Sequence, residues 1–196
     1  MDLAALSALL AAVRAREPRR RIILFGSAAL LAALPMGTDP ALDFESTLDA
    51  DILLDPDDEA MRRVLDAEFG SGSAYDLATG FHGDFVDYQI SFGFFPPGWP
   101  VRLVPVLEFA GVFALSLGDN AAAKLLATAH TRLNRRMGGG AADRGAKDIQ
   151  TVTSLLRKGL LAGSELERLI SSVRLSPAMI VEAGAVVEEV NAAGLG

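Results

Sequence analysis

The sequence contains no cysteine and only two histidines, His82 and His130. Disulfides, thiol catalysis and cysteine-based zinc sites are therefore excluded, and so is a metal site built mainly from histidines. No uninterrupted apolar run is long enough to cross a bilayer, and the apolar stretch near the start lacks the preceding positive charges of a signal peptide. We therefore expect a cytoplasmic protein with no membrane partner.

Aromatic residues are few, at 7% of the chain, whereas 51% of its 196 residues are hydrophobic. This composition supports a sizeable core and favours helices that pack closely on a modest sheet. The formal net charge of −7 argues against broad nonspecific binding of nucleic acid, although a local basic strip could still hold RNA or a nucleotide.

The order of apolar and polar segments predicts an α/β (α+β) fold. Residues 22–25 and 52–54 have the length and content of buried strands. Further strands are predicted at 85–92, 102–109 and 111–117, and helices at 3–15, 28–34 and from about residue 57 to Glu68. From Gly118 the strands stop, and helices are predicted at about 119–137, 144–158, 164–172 and 176–193. We expect a mixed β-sheet flanked by helices in a domain 1–117, and a helical domain 118–196 packed on it.

Three aspartates belong to two of the predicted strands, with Asp49 and Asp51 at the entrance of the strand at 52–54 and Asp87 within that at 85–92. Asp49 and Asp51 are two residues apart, so their carboxylates point to one face, about 6.5–7 Å apart along the strand. If the strand that carries Asp87 is a neighbour, three carboxylates converge. Two unit charges 4 Å apart cost on the order of 4 kcal/mol at an effective dielectric near 20, so a bare cluster would protonate or separate. Bound Mg²⁺ or Mn²⁺ would remove this conflict.

Gly26 and Ser27 follow the first strand and precede a helix. Backbone N–H groups at such a helix start, together with the serine hydroxyl, can bind phosphate oxygens. Each feature alone has a simpler reading, because Gly-Ser also makes ordinary tight turns and Asp-x-Asp also occurs at solvated strand ends. Their combination in one chain favours a phosphate and metal site.

This combination resembles the nucleotidyltransferase superfamily of the DNA polymerase β type, in which Gly-Ser, an Asp-x-Asp pair and a third Asp follow one another. It is similar in particular to the bacterial branch of abortive-infection toxins and an uncharacterised nucleotidyltransferase-like group. Further similar segments are PPGWPVRLVPV at 96–106, DNAAAKLLA at 119–127 and Lys147-Asp148, so the resemblance covers roughly residues 20–160.

The resemblance implies a nucleotidyltransferase fold and a role for each matching residue. Asp49 and Asp51 would bind metal and the nucleoside triphosphate, and Asp87 would be a further metal ligand or the base. Gly26 and Ser27 would hold the terminal phosphates, which Lys124 would also reach. An antitoxin partner is implied as well.

One position departs from the family pattern, since Glu45 stands where relatives tend to have an arginine. Several alternatives also stay open. Asp84, placed on the opposite face of the predicted strand, is a rival for the third carboxylate, and Lys124 could be a solvated helix lysine. His82 is expected to be a loop histidine instead of a ligand.

The sequence thus leads to the hypothesis of a Mg²⁺-dependent transferase that moves a nucleoside monophosphate from NTP to a hydroxyl of RNA, protein or a small molecule. The alternative is a catalytically degenerate nucleotide-binding or protein-interaction module with the same fold.

Overall fold

The computed structural model of the protein describes residues 1–33, 48–87, 92–106, 109–139 and 145–194. Within these ranges a mixed five-stranded sheet is flanked by helices and followed by a helical C-terminal part, so the fold is α/β. The chain divides into two compact units and passes from the first to the second between Ser116 and Leu117, while residues 94–99 also belong to the second. The predicted domain boundary lies after residue 117.

The first unit contains the sheet. Its strands are β1 (Arg21–Phe25), β2 (Asp49–Asp55), β3 (His82–Phe85), β4 (Val104–Pro105) and β5 (Val112–Ala114). Its helices are α1 (Leu3–Arg16), α2 (Gly26–Ala33), α3 (Glu59–Phe69) and α4 (Ala74–Thr79). The strands lie in the order β3-β2-β1-β5-β4. Strand β1 runs antiparallel to β2 and parallel to β5, and β3 runs parallel to β2.

One face of the sheet packs into an apolar cluster of this unit, and alternate residues of each strand point to that side. Ala50, Ile52 and Leu54 of β2 are fully buried on that face. They lie in one apolar cluster with side chains of α1, β1, α2, α3, β3 and β5, namely Leu6, Leu9, Leu10, Val13, Ile22, Leu24, Ala28, Ala29, Leu65, Phe85, Val112 and Ala114. Asp49 and Asp51 therefore point to the other face.

The second unit contains four long helices within its described residues. They are α5 (Leu117–Arg136), α6 (Gly145–Arg157), α7 (Gly163–Ser172) and α8 (Pro177–Gly194). Helix α5 packs against the other three, and ion pairs Arg132–Glu189 and Arg136–Glu182, at 2.7 and 2.9 Å, link it to α8 in antiparallel orientation. No helix of the described ranges is both long and apolar enough to cross a membrane.

The largest difference from the predicted elements lies around residues 70–87. The predicted strand 85–92 is wrong in its start, because β3 begins at His82 and ends at Phe85, and residues 88–91 lie outside the described ranges. Helix α4 was not predicted. It begins because the hydroxyl of Ser73 accepts a hydrogen bond from the backbone N–H of Asp76 at 3.1 Å, a typical N-cap, and it ends at Gly80 in the left-handed conformation.

Candidate functional site

The corner between β1 and α2 is shaped around an aspartate. Gly26 has φ of +68°, a conformation that side chains rarely tolerate. A Cβ atom at this position would lie 1.9 Å from Oδ2 of Asp51. Glycine is therefore required twice, once for the turn and once to leave room for the carboxylate. Gly26 of the Gly-Ser corner, Gly26-Ser27, therefore lies against Asp51 of the Asp-x-Asp segment.

The neighbouring strand adds two further polar side chains to the same face. In the parallel register of β2 and β3, Asp51 lies opposite Asp84 and Asp49 lies opposite His82. Residues that face each other on adjacent strands point to the same side of the sheet, with strands about 4.8 Å apart. Asp49, Asp51, His82 and Asp84 thus share one surface, which we call the acidic face.

Asp87 does not belong to the acidic face. It follows β3 and is three residues beyond Asp84, and its Oδ2 accepts a hydrogen bond from a terminal nitrogen of Arg62 at 3.0 Å. The same guanidinium donates through Nε to Asp57 at 2.8 Å, and only 14% of the Arg62 side chain is exposed. The structure therefore places Asp87 in an ion-pair network with α3, and it is Asp84 that lies beside the predicted pair.

The acidic face supplies oxygen donors without forming a closed metal cage. Among the described residues, no group of three or more histidine, aspartate or glutamate side chains is placed to hold a metal ion by itself. Mg²⁺ rarely uses such cages, since it keeps several waters and is usually held by one or two carboxylates together with substrate phosphates. Asp51, seated against the Gly-Ser corner, and Asp49 fit that manner of binding.

His82 is held by a carboxylate from α4. Its Nδ1 lies 3.2 Å from Oδ1 of Asp76, and its backbone N–H donates to the carbonyl of Leu48 at 3.1 Å. The other carboxylate oxygen of Asp76 accepts the backbone N–H of Gly72 at 2.8 Å. That N–H is the main reason that the pKa of Asp76 lies below its ordinary value, and His82 lowers the pKa further. The sequence signal that His82 and Asp84 share one face of β3 is their two-residue spacing in His-Gly-Asp-Phe at 82–85.

Lys124 lies in the second unit, where it has an internal partner. Its Nζ is 2.7 Å from Oδ1 of Asp148 on α6, and the hydroxyl of Thr128 is 3.5 Å from Oδ2 of the same carboxylate. The lysine and aspartate side chains are only 11% and 18% exposed. Lys124 thus forms an ion pair with Asp148 of the Lys147-Asp148 motif. The contact of Lys124 with phosphates stays a prediction. Glu45 lies outside the described residues.

No family model, curated protein or solved structure matches the chain. The capability of the site is therefore inferred from its residues, and these offer a glycine-lined helix start, carboxylates on one sheet face and a carboxylate-held imidazole.

Proposed function

We propose that the protein is a nucleotidyltransferase that transfers a nucleoside monophosphate from NTP to an acceptor hydroxyl. The observation that carries this proposal is the close approach of Asp51 to Gly26, whose missing side chain leaves the space that Oδ2 occupies. A phosphate group on the backbone N–H groups of the Gly-Ser corner would lie next to this carboxylate. A divalent cation held by Asp51 would offset the repulsion between the two negative groups.

Each residue of the site has a role in this reaction. Asp49 and Asp51 would hold the cation, and Gly26 and Ser27 would bind the terminal phosphates through N–H and hydroxyl donors. A bound Mg²⁺ or Mn²⁺ supplies charge neutralisation at the phosphates and stabilises the leaving group. Asp84 is exposed and lies beside Asp51, so we assign it the role of proton acceptor in place of Asp87.

The reaction balances with these groups. The acceptor oxygen forms a bond to the α-phosphorus, and the bond from that phosphorus to the bridging oxygen breaks. Pyrophosphate leaves with the bonding electrons, and the hydroxyl proton passes to the carboxylate of Asp84. The acceptor class is RNA, protein or a small molecule, and a toxin function with an antitoxin partner rests on the family resemblance alone.

Label transfer tests the proposal directly. The protein is incubated with the four α-³²P-labelled NTPs, Mg²⁺ or Mn²⁺, and total RNA or a protein extract. We expect labelling that EDTA abolishes and that Asp51→Asn and Asp84→Asn each reduce by about a hundredfold or more, a loss of roughly 3 kcal/mol of transition-state stabilisation.

Asp87→Asn is the matched control, because it changes a carboxylate of the same unit that pairs with Arg62 instead of facing Asp51. We expect this variant to retain transfer. Absence of label in every acceptor would contradict the proposal and favour the nucleotide-binding module. Equal losses in the variants at residues 51, 84 and 87 would contradict the assignment of Asp84.

A further inference from the structure

The carboxylate of Asp76 holds one ring nitrogen of His82, an arrangement typical of a histidine that binds a ligand through its other ring nitrogen. Asp76 uses one oxygen for the Gly72 N–H and the other for Nδ1 of His82. A carboxylate that accepts from Nδ1–H fixes the neutral imidazole in the tautomer whose Nε2 carries a lone pair. Within the described residues Nε2 makes no hydrogen bond.

The fixed imidazole lies on the acidic face. His82 and Asp49 are opposite each other in the β2-β3 register, one step along from the pair of Asp51 and Asp84. The His82 side chain is 22% exposed and that of Asp76 is 20% exposed, so the contact between them is largely shielded from water. Metal-binding histidines commonly donate their second ring nitrogen to a carboxylate in this way.

We propose that His82 is a metal ligand through Nε2, beside Asp49, and that the site takes Mn²⁺ in preference to Mg²⁺. This inference rests on the proposed function, whose cation it identifies. An imidazole nitrogen suits first-row transition ions, whereas Mg²⁺ binds almost only oxygen. One imidazole and one carboxylate from the protein would leave positions for phosphate oxygens and water, and within the described residues no three protein side chains are placed to form a cage.

The test uses Mn²⁺ with tripolyphosphate, because this probe contains no nitrogen. Because tripolyphosphate binds Mn²⁺ by itself, binding to the protein is measured from the change in the electron paramagnetic resonance spectrum of the Mn²⁺–tripolyphosphate complex when protein is added. Pulsed measurements of the bound ion then report whether a ¹⁴N nucleus is directly coordinated. We expect a nitrogen coupling in the wild type, and weaker binding of Mg²⁺ than of Mn²⁺ in competition.

Three variants isolate the role of the imidazole. His82→Asn keeps a side-chain donor near the position of Nδ1 but removes Nε2, so we expect the nitrogen coupling to disappear and the preference for Mn²⁺ to fall. Asp76→Asn removes the orienting carboxylate, and we expect affinity for Mn²⁺ to fall by about 10–100-fold. His130→Asn is the matched control, since His130 is the other histidine of the chain and lies exposed on α5; it should leave the coupling unchanged.

The outcomes separate this inference from the proposed function. Bound Mn²⁺ without nitrogen coupling in the wild type, or unchanged coupling in a folded His82→Asn variant, would overturn the inference and leave the transferase proposal standing. Failure of the wild type to bind Mn²⁺ with tripolyphosphate would overturn the inference and would also contradict a cation at Asp49 and Asp51.

Discussion

Gly26→Ala probes the feature on which the proposed site depends, the space that glycine leaves for Asp51. The backbone conformation at φ +68° costs a residue with a side chain about 1–2 kcal/mol. The new methyl group would in addition lie 1.9 Å from Oδ2 and 3.0 Å from Cγ of Asp51, so the carboxylate or the strand must move. Such overpacking costs about 1–3 kcal/mol. We therefore expect a total loss of roughly 2–5 kcal/mol.

Gly80→Ala separates the two contributions. Gly80 has φ of +75°, lies in the same unit, and has no neighbouring atom within 4 Å of the position of a Cβ. This variant should therefore show only the backbone cost of about 1–2 kcal/mol. The difference between the two variants measures the contact between residue 26 and the carboxylate.

The assay is urea unfolding followed by circular dichroism, with the free energy of unfolding extrapolated to water. A third measurement repeats Gly26→Ala in an Asp51→Ala background. There the nearest remaining side-chain atom is Cβ at 3.5 Å, an ordinary contact, so the cost should fall towards that of Gly80→Ala. A cost for Gly26→Ala no larger than for Gly80→Ala would refute the reasoning and remove the main support for the site.

Two further predictions concern other parts of the chain. Lys124→Met should lower the free energy of unfolding by about 1–3 kcal/mol, because Asp148 would keep a largely buried charge without its cation. The double variant Lys124→Met with Asp148→Leu should lose less stability, since no unpaired charge remains. Equal urea midpoints for wild type and the single variant would contradict this prediction. Burial disfavours the charged form of Glu17, but N–H donors of Arg19 and Arg20 outweigh it and hold its pKa below the ordinary value of a glutamate. A lowered pKa stabilises the fold only while the group is ionised. The stability difference between wild type and Glu17→Gln should therefore be constant above about pH 4.5 and shrink as the pH falls below it. Urea titrations at a series of pH values would check this.

Much of the local structure follows from the sequence alone. The strands at 22–25 and 52–54 and the four C-terminal helices are where apolar periodicity predicts them, because those patterns depend on neighbours along the chain. The shared face of Asp49 and Asp51 also follows, since a two-residue spacing on a strand determines it. The boundaries around residues 70–87 do not follow, because Ser73 serves as a helix cap where serine and glycine also suit a loop.

The composition of the site was decided by tertiary structure. Asp84 faces Asp51, and His82 faces Asp49, because β3 pairs with β2 in one particular register, and a shift by one residue would have exchanged the faces. Asp87 forms an ion pair with Arg62 on α3, and Lys124 forms one with Asp148 on α6. In both pairs the partners are more than 20 positions apart in the sequence. A sequence pattern specifies which way each side chain points along its own strand or helix, whereas the partner it meets depends on how separate elements pack.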